Sequence, residues 1–171
     1  MSNNIASALI SDNITSASIG GAVGLAAAFL GASLTAQFNT QQQQKQTRIQ
    51  VALSLYAEFQ SESMLESRIV ACNVFEANVD NLSLGFKNLR ERIGSDEWFH
   101  MSKVIHFFER YAVYYNKGFL DKDLSESTLE EYFKYWHKKY LDKLVENSLK
   151  PGSDEWRNWA NTIKGLDNKL K

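Results

Sequence analysis

The stretch Ala17-Ser-Ile-Gly-Gly-Ala-Val-Gly-Leu-Ala-Ala-Ala-Phe-Leu-Gly-Ala-Ser-Leu-Thr-Ala36 divides this chain into two parts of different chemistry. It lies within a run, Asn13–Gln44, that contains no charged residue, whereas the 127 residues after this run are crowded with charges. About 20 mostly apolar residues in a helix span the hydrocarbon core of a bilayer. The pattern therefore predicts a transmembrane helix over residues 17–38, preceded by a short extracytoplasmic tail, residues 1–16.

Two other interpretations of this segment are open. A cleaved signal peptide requires a basic n-region, and residues 1–16 contain no Lys or Arg. A helix buried in a soluble core would carry the glycines at positions 20, 21, 24 and 31, each of which costs roughly 1 kcal/mol relative to Ala in water. Glycine is more frequent in membrane helices, so we prefer the transmembrane interpretation.

Small residues recur at every fourth position of the segment. They are Gly20, Gly24, Ala28, Ala32 and Ala36. Such a face lets two helix backbones approach closely, and van der Waals contact then drives their association in lipid. We expect these residues to form a helix-packing interface of a homo-oligomer in the lipid bilayer, although an Ala/Gly-rich segment also produces this spacing by chance.

The charges that flank the segment predict its orientation. Lys45 and Arg48 follow the segment, and no basic residue precedes it. Basic residues are retained on the cytoplasmic side of a membrane helix. We therefore expect an inner (plasma) membrane protein with its N-terminus outside and its C-terminal domain in the cytoplasm.

The part from Lys45 onward has the composition of one folded domain. It contains 19 basic and 19 acidic residues and 19 of the 21 aromatic residues in the chain. This balance of charges gives no reason to expect nucleic-acid binding. The single cysteine, Cys72, excludes an intrachain disulfide.

The fold class predicted for the chain is all-α. The chain has one proline, Pro151, and no run of alternating β-branched residues. We expect the transmembrane helix to continue into a helical stalk, residues 39–62, followed by a small helical bundle, residues 63–171. The apolar seam of the stalk, Ile49, Ala52, Tyr56 and Phe59, either pairs with a second copy or packs on its own domain.

Helical spacing of apolar residues predicts the helices of the bundle. The first begins near Ser63, which with Glu66 has the spacing of a capping box. Its apolar face comprises Leu65, Ile69, Cys72, Phe75 and Val79. A short helix then ends at Gly94.

Three further helices follow in the sequence. A long helix over residues 96–117 carries the apolar residues Val104, Ile105, Phe107, Phe108, Tyr111, Ala112 and Tyr115, with Gly118 at its end. The next is capped by Ser127 and carries Leu129, Tyr132, Phe133, Trp136, Tyr140, Leu141 and Leu144. The last carries Trp156, Trp159, Ile163 and Leu166.

No pattern in the sequence predicts catalysis, a cofactor or a metal. His100 and His106 are six residues apart and therefore face different sides of one helix, while His137 stands alone. Dinucleotide and phosphate loops, zinc-protease motifs and nucleophile-elbow motifs are absent from the sequence. Cys72 has no His nearby in sequence and is interpreted as a small buried hydrophobic residue.

Several segments resemble a group of uncharacterised bacterial and phage proteins. They are Thr47–Phe59, Ser61–Met64, Phe107–Ala112, Gly118–Leu124 and Glu131–Trp136. The resemblance covers about residues 37–141. It implies one N-terminal transmembrane helix followed by a small cytoplasmic helical domain, in a bacterial or prophage setting. It implies no activity and no catalytic residue, because the family has no established one.

These features support two hypotheses about function. The first is a non-enzymatic, single-pass membrane protein that self-associates and presents a helical interaction domain to a cytoplasmic protein. The alternative is a membrane-active effector, in phage defence or lysis, whose Ala/Gly-rich helix assembles into a pore. A soluble enzyme with a buried Ala/Gly helix is a third and less favoured interpretation.

Overall fold

The structure is a computed structural model that describes residues 37–151 and 154–171. The chain divides into two compact units, Met1–Lys45 and Gln46–Lys171. Most of the predicted transmembrane helix, residues 17–38, lies outside the described residues. The predicted packing face lies outside them entirely: Gly20, Gly24, Ala28, Ala32 and Ala36. A search of the described helices finds none with the length and apolar character needed to cross a membrane.

The described residues form helices and no strands. The described part of helix α1 is residues 37–60. It is followed by α2 (Glu62–Ala77), a 3₁₀ helix (Val79–Leu84), α3 (Gly85–Arg92), α4 (Ser95–Asn116), α5 (Lys122–Ser125), α6 (Glu131–Trp136), α7 (Asp142–Ser148) and α8 (Asp154–Asp167). Two π-helical turns, Glu126–Glu130 and His137–Leu141, join α5 to α6 and α6 to α7. The predicted all-α class and small helical bundle are confirmed for this part of the chain.

Helix α4 is the centre of the second unit, and it packs against α2 on one side and α8 on the other. Every residue of its predicted apolar face is buried: Val104, Ile105, Phe107, Phe108, Tyr111, Ala112 and Tyr115. From α8, Trp159, Ile163 and Leu166 are buried in the same core. Burial of this many large side chains provides the main free energy that holds the helices together.

Residues of the predicted stalk contribute to this core. Ala52, Leu55 and Phe59 of α1 are buried among the residues of the second unit. The backbone amide of Asp121 also donates a hydrogen bond to the carbonyl of Arg48, at 3.4 Å. This section of α1 therefore packs on its own domain, which was one of the two alternatives for the stalk seam.

Two predicted helix caps are wrong. Helix α2 is capped by Ser61, whose hydroxyl accepts a hydrogen bond from the Met64 amide at 3.3 Å, and not by Ser63. Helix α5 is capped by Asp121, whose carboxylate accepts from the Leu124 amide at 3.1 Å, several residues before Ser127. Several Ser and Asp residues near each start can act as caps, and the one that does so is the residue with an extended backbone.

The ends of α4 follow local rules. At its start, the Glu97 carboxylate accepts a hydrogen bond from the Gly94 amide at 2.9 Å. At its end, Gly118 has a φ of 71°. The amides of Gly118 and Phe119 donate to the carbonyls of Tyr115 and Tyr114 at 3.0 and 2.9 Å. This pair of bonds is a Schellman motif, which requires a left-handed residue where Gly118 lies.

The predicted apolar face of α2 is confirmed at Phe75, which is buried in the core, and is wrong at Leu65 and Ile69. The buried residues of this helix are Met64, Ser67, Ala71, Val74 and Phe75. By contrast, Leu65 and Ile69 are 48% and 55% exposed. Helix α2 carries two apolar stripes, and α4 covers only the one that includes Met64 and Ala71. The second stripe is left on the surface.

We predict that Gly85→Ala destabilises the protein more than Gly118→Ala does. Both glycines have a positive φ, 84° and 71°, and each substitution costs about 1–3 kcal/mol in backbone strain. A Cβ at Gly85 would in addition overlap the Asn147 side chain, whereas a Cβ at Gly118 would have no neighbour within 4 Å. Urea unfolding of both variants, followed by far-UV circular dichroism, measures the difference. Equal losses would show that the overlap with Asn147 has no cost.

Candidate functional site

An open apolar groove of about 590 Å³ lies between α2 and α6. We call it the α2–α6 groove. It is lined by Leu65, Arg68, Ile69, Cys72, Asn73, Glu131, Tyr132, Tyr135 and Trp136. The exposed apolar stripe of α2 is one wall of the groove, and the aromatic residues of α6 are the other.

Aromatic packing against the core sets the position of the α6 wall. Trp136 is almost fully buried, with its ring 5.8 Å from that of Phe108 and 6.2 Å from that of Phe75. Tyr132 packs on Phe59 at 4.8 Å. The face of α6 that carries Tyr132 and Tyr135 is not covered by another helix, and these side chains are 39% and 52% exposed. The groove is therefore lined by rings that are held in place on one side and free on the other.

Arg68 lies in the wall of the groove and has no charge partner among the residues that the structure describes. Its guanidinium carbon is 4.1 Å from the centre of the Phe59 ring, a cation–π contact. Its Nε is buried and has no hydrogen-bond partner, and no carboxylate among the described residues forms an ion pair with it. Burial lowers the pKa of Arg68 from its ordinary value, but an arginine still remains charged at neutral pH. Among the described residues, the groove is therefore lined by one unpaired cation, Arg68, and by one exposed carboxylate, that of Glu131.

A hydrogen-bonded cluster closes one end of the groove. The Glu76 carboxylate accepts hydrogen bonds from Lys139 at 2.8 Å and from the Tyr140 hydroxyl at 3.0 Å. Lys139 also donates to the Tyr135 hydroxyl at 3.1 Å. The bonds from Lys139 and then Tyr140 lower the pKa of Glu76, and the same bond to Glu76 raises the pKa of Lys139. The negative charge of Glu76 on α2 and the positive charge of Lys139 on the α6 side of the groove therefore compensate each other.

Cys72 lines the groove next to this cluster. It is partly buried and packs against the core without being enclosed by it. The predicted burial of Cys72 is therefore only partial. The residue belongs to the stripe of α2 that α4 leaves uncovered.

The histidines lie outside the groove, and each has its own partner. His100 Nδ1 is 3.1 Å from the Ser67 hydroxyl, and His106 Nδ1 is 3.0 Å from a Glu109 carboxylate oxygen. His137 is nearly buried between α6 and α8, with its Nδ1 3.3 Å from an Asp167 oxygen. Within residues 37–151 and 154–171, no three His, Cys, Asp or Glu side chains are grouped so that they could hold a metal ion.

A second depression, of about 390 Å³, surrounds the His137–Asp167 pair. Lys134 and Lys171 extend over it, but both are paired. Lys134 contacts Glu130 at 2.5 Å, and Lys171 contacts Asp167 at 2.5 Å. Lys138 also lines the depression, but it is a single ammonium group. Because the other two lysines are matched by carboxylates, the described residues of the depression present no free cluster of positive charge to an anion.

The apolar wall that α2 contributes to the groove is visible in the sequence, but helical periodicity alone does not show that this wall is exposed. Leu65, Ile69 and Cys72 were assigned to one apolar face, and that face exists. It was placed in the core, whereas the structure leaves it uncovered. Arg68 and Tyr135 had no sequence signal, because their position in the groove depends on which helices pack around them.

Comparison with known proteins finds no match for this chain. No family of known proteins matches its sequence, no curated protein is similar to it, and no solved structure is similar to its fold. The resemblance to uncharacterised bacterial and phage proteins therefore stays a prediction, and function has to be argued from the surface of the molecule itself.

We predict that Glu76→Gln lowers the stability of the protein at neutral pH and removes part of its dependence on pH. Because the pKa of Glu76 is lowered on folding, its ionised form adds stability above the unfolded pKa of about 4.3. That contribution is lost as the pH falls through the folded value. The difference in unfolding free energy between wild type and Glu76→Gln should therefore be constant at neutral pH and shrink in acid.

Urea midpoints at a series of pH values measure this difference. Glu146→Gln is the matched control, because Glu146 is an exposed glutamate of α7 with no ion pair or hydrogen bond among the described residues. We expect its stability to follow wild type across the series. A gap between wild type and Glu76→Gln that does not change with pH would contradict the contribution of the ionised carboxylate.

Proposed function

We propose that this chain is a non-enzymatic, single-pass membrane protein that self-associates and presents its helical domain to a cytoplasmic protein partner. The observation that carries the proposal is the α2–α6 groove, a wide apolar surface on an otherwise well-packed domain. Apolar surfaces of this kind on soluble domains mark sites where another protein binds. The remaining support comes from the predicted transmembrane helix and its flanking charges.

The shape of the groove favours a protein over a small molecule. Small-molecule sites enclose most of the surface of their ligand. Here Leu65, Ile69 and Tyr135 are each about half exposed, so a small ligand would remain largely in water. A helix that lays an apolar face between α2 and α6 would cover all three, which is a common mode of protein recognition.

The chemistry of the groove favours binding over catalysis. A reactive cysteine needs a neighbouring group that stabilises the thiolate, usually a histidine or a cation. The three histidines have partners outside the groove. The cation that lines the groove together with Cys72 is Arg68, and its guanidinium lies on the Phe59 ring. Lys139 is hydrogen-bonded to Glu76, and this bond joins α2 to the α6 side of the groove, which is a structural role.

The membrane part of the proposal rests on the sequence. Residues 17–36 are uncharged and mostly apolar, and the first basic residue after them is Lys45. A charged residue at the centre of a membrane helix costs about 2.5–3.5 kcal/mol on the insertion scale. Two such charges would therefore outweigh the apolar residues of this short segment.

We predict that the protein remains in the membrane pellet after an alkaline carbonate wash of fractionated cells. Val23→Asp combined with Phe29→Asp should move it to the supernatant, because the two charges oppose insertion. Val23→Leu combined with Phe29→Leu is the matched control and should stay in the pellet. Wild-type protein in the supernatant would contradict the membrane part of the proposal. Growth arrest with membrane depolarisation, dependent on residues 17–36, would favour the effector alternative instead.

A further inference from the structure

We infer that the α2–α6 groove is the interface between two copies of this chain related by a twofold axis. The inference rests on the proposed self-association and names the surface that performs it in the helical domain. It is independent of the predicted packing face in the membrane segment, because the groove belongs wholly to residues of the second unit.

An apolar ridge on α2 and the groove that could receive such a ridge lie side by side on this face. Leu65 and Ile69 are one turn apart on α2 and project into solvent, 48% and 55% exposed. They border the groove whose other wall is formed by Tyr132 and Tyr135. A twofold interface brings the same patch of each copy together, so the patch has to be complementary to itself. Here the apolar ridge of one copy can enter the groove of the other.

Helix α2 also carries both halves of an ion pair, with Arg68 in the wall of the groove and Glu62 and Glu66 elsewhere on the same helix. Arg68 has no carboxylate partner among the described residues. Glu62 and Glu66, which are exposed on the same helix, likewise have no cationic partner there. A second copy on this face would bring its own Glu62 and Glu66 toward Arg68.

The charges also distinguish a second copy from an acidic partner. A strongly acidic peptide would pair with Arg68, but its other carboxylates would lie near Glu62, Glu66 and Glu131. Like charges at short range oppose binding. A second copy presents Arg68 together with Glu62, Glu66 and Glu131, and its residues from Lys45 onward have no net charge.

The experiment is the oligomeric state of the full chain in detergent, measured by sedimentation equilibrium over a range of protein concentrations. The test variant is Leu65→Lys combined with Ile69→Lys. The matched control is Phe99→Lys, because Phe99 is 59% exposed on α4 and does not line the groove. We expect the test variant to raise the dissociation constant at least tenfold and the control to leave it unchanged. Both variants should keep the wild-type circular dichroism, since these side chains are already exposed.

Failure of the groove as an interface and failure of self-association as a whole give different results in this experiment. An unchanged dissociation constant in the Leu65→Lys, Ile69→Lys variant would overturn the groove as the interface. If Gly20→Leu combined with Gly24→Leu then reduced the assembly, self-association would stand through the membrane segment alone. A wild-type chain that is monomeric at every concentration would overturn both.

A charge exchange tests the ion pair separately. Glu62→Lys combined with Glu66→Lys should weaken assembly, because lysines would then face Arg68. Arg68→Glu should weaken assembly for the converse reason. An equimolar mixture of these two variants should associate as wild type does, since every contact in the mixed dimer is again between opposite charges. Failure of the mixture to associate, with both variants folded by circular dichroism, would exclude Arg68 from the interface.

Discussion

The packing of aromatic rings around Phe108 is the interaction on which the rest of the helical domain depends. Its ring centre lies 5.5 Å from that of Phe107, 5.8 Å from Trp136, and 5.9 Å from each of Phe59 and Phe133. These rings come from α1, α4 and α6, so one cluster determines how three helices are placed. Aromatic pairs at such distances add about 0.5–1.5 kcal/mol each beyond the burial of their surface. The cluster therefore favours one arrangement of the helices over other compact ones.

The groove is a consequence of this arrangement. Trp136 and Tyr132 are held against the core, which leaves the opposite edge of α6 facing outward. Helix α2 packs on α4 through one stripe and presents Leu65 and Ile69 on the other. Arg68 lies between them, with its guanidinium on the Phe59 ring. A long charged side chain covers apolar surface in this way. The result is an apolar groove that no other part of the domain covers among the described residues.

The two π-helical turns explain how the second half of the domain presents its aromatic residues. A π turn inserts residues into a helix without ending it, and such turns are frequent at functional sites. The turn His137–Leu141 places Tyr140 where its hydroxyl reaches Glu76 of α2. The neighbouring bond from Lys139 to Glu76 then ties the two walls of the groove at one end. Because the opposite end has no such tie among the described residues, the groove is open along the length that a helix would occupy.

The sequence by itself determined that the domain is helical, that α4 carries the central apolar face, and that Gly118 ends it. These properties are local: they follow from a period of 3.6 residues and from the backbone freedom of glycine. Only the tertiary structure decided which of two apolar stripes on α2 is buried and which residue caps each helix. It alone also decided that Arg68 and Tyr135 share one groove. Each of these depends on contacts between residues distant in sequence. A pattern of spacing shows that a face is apolar, whereas the neighbouring helices decide whether that face is covered.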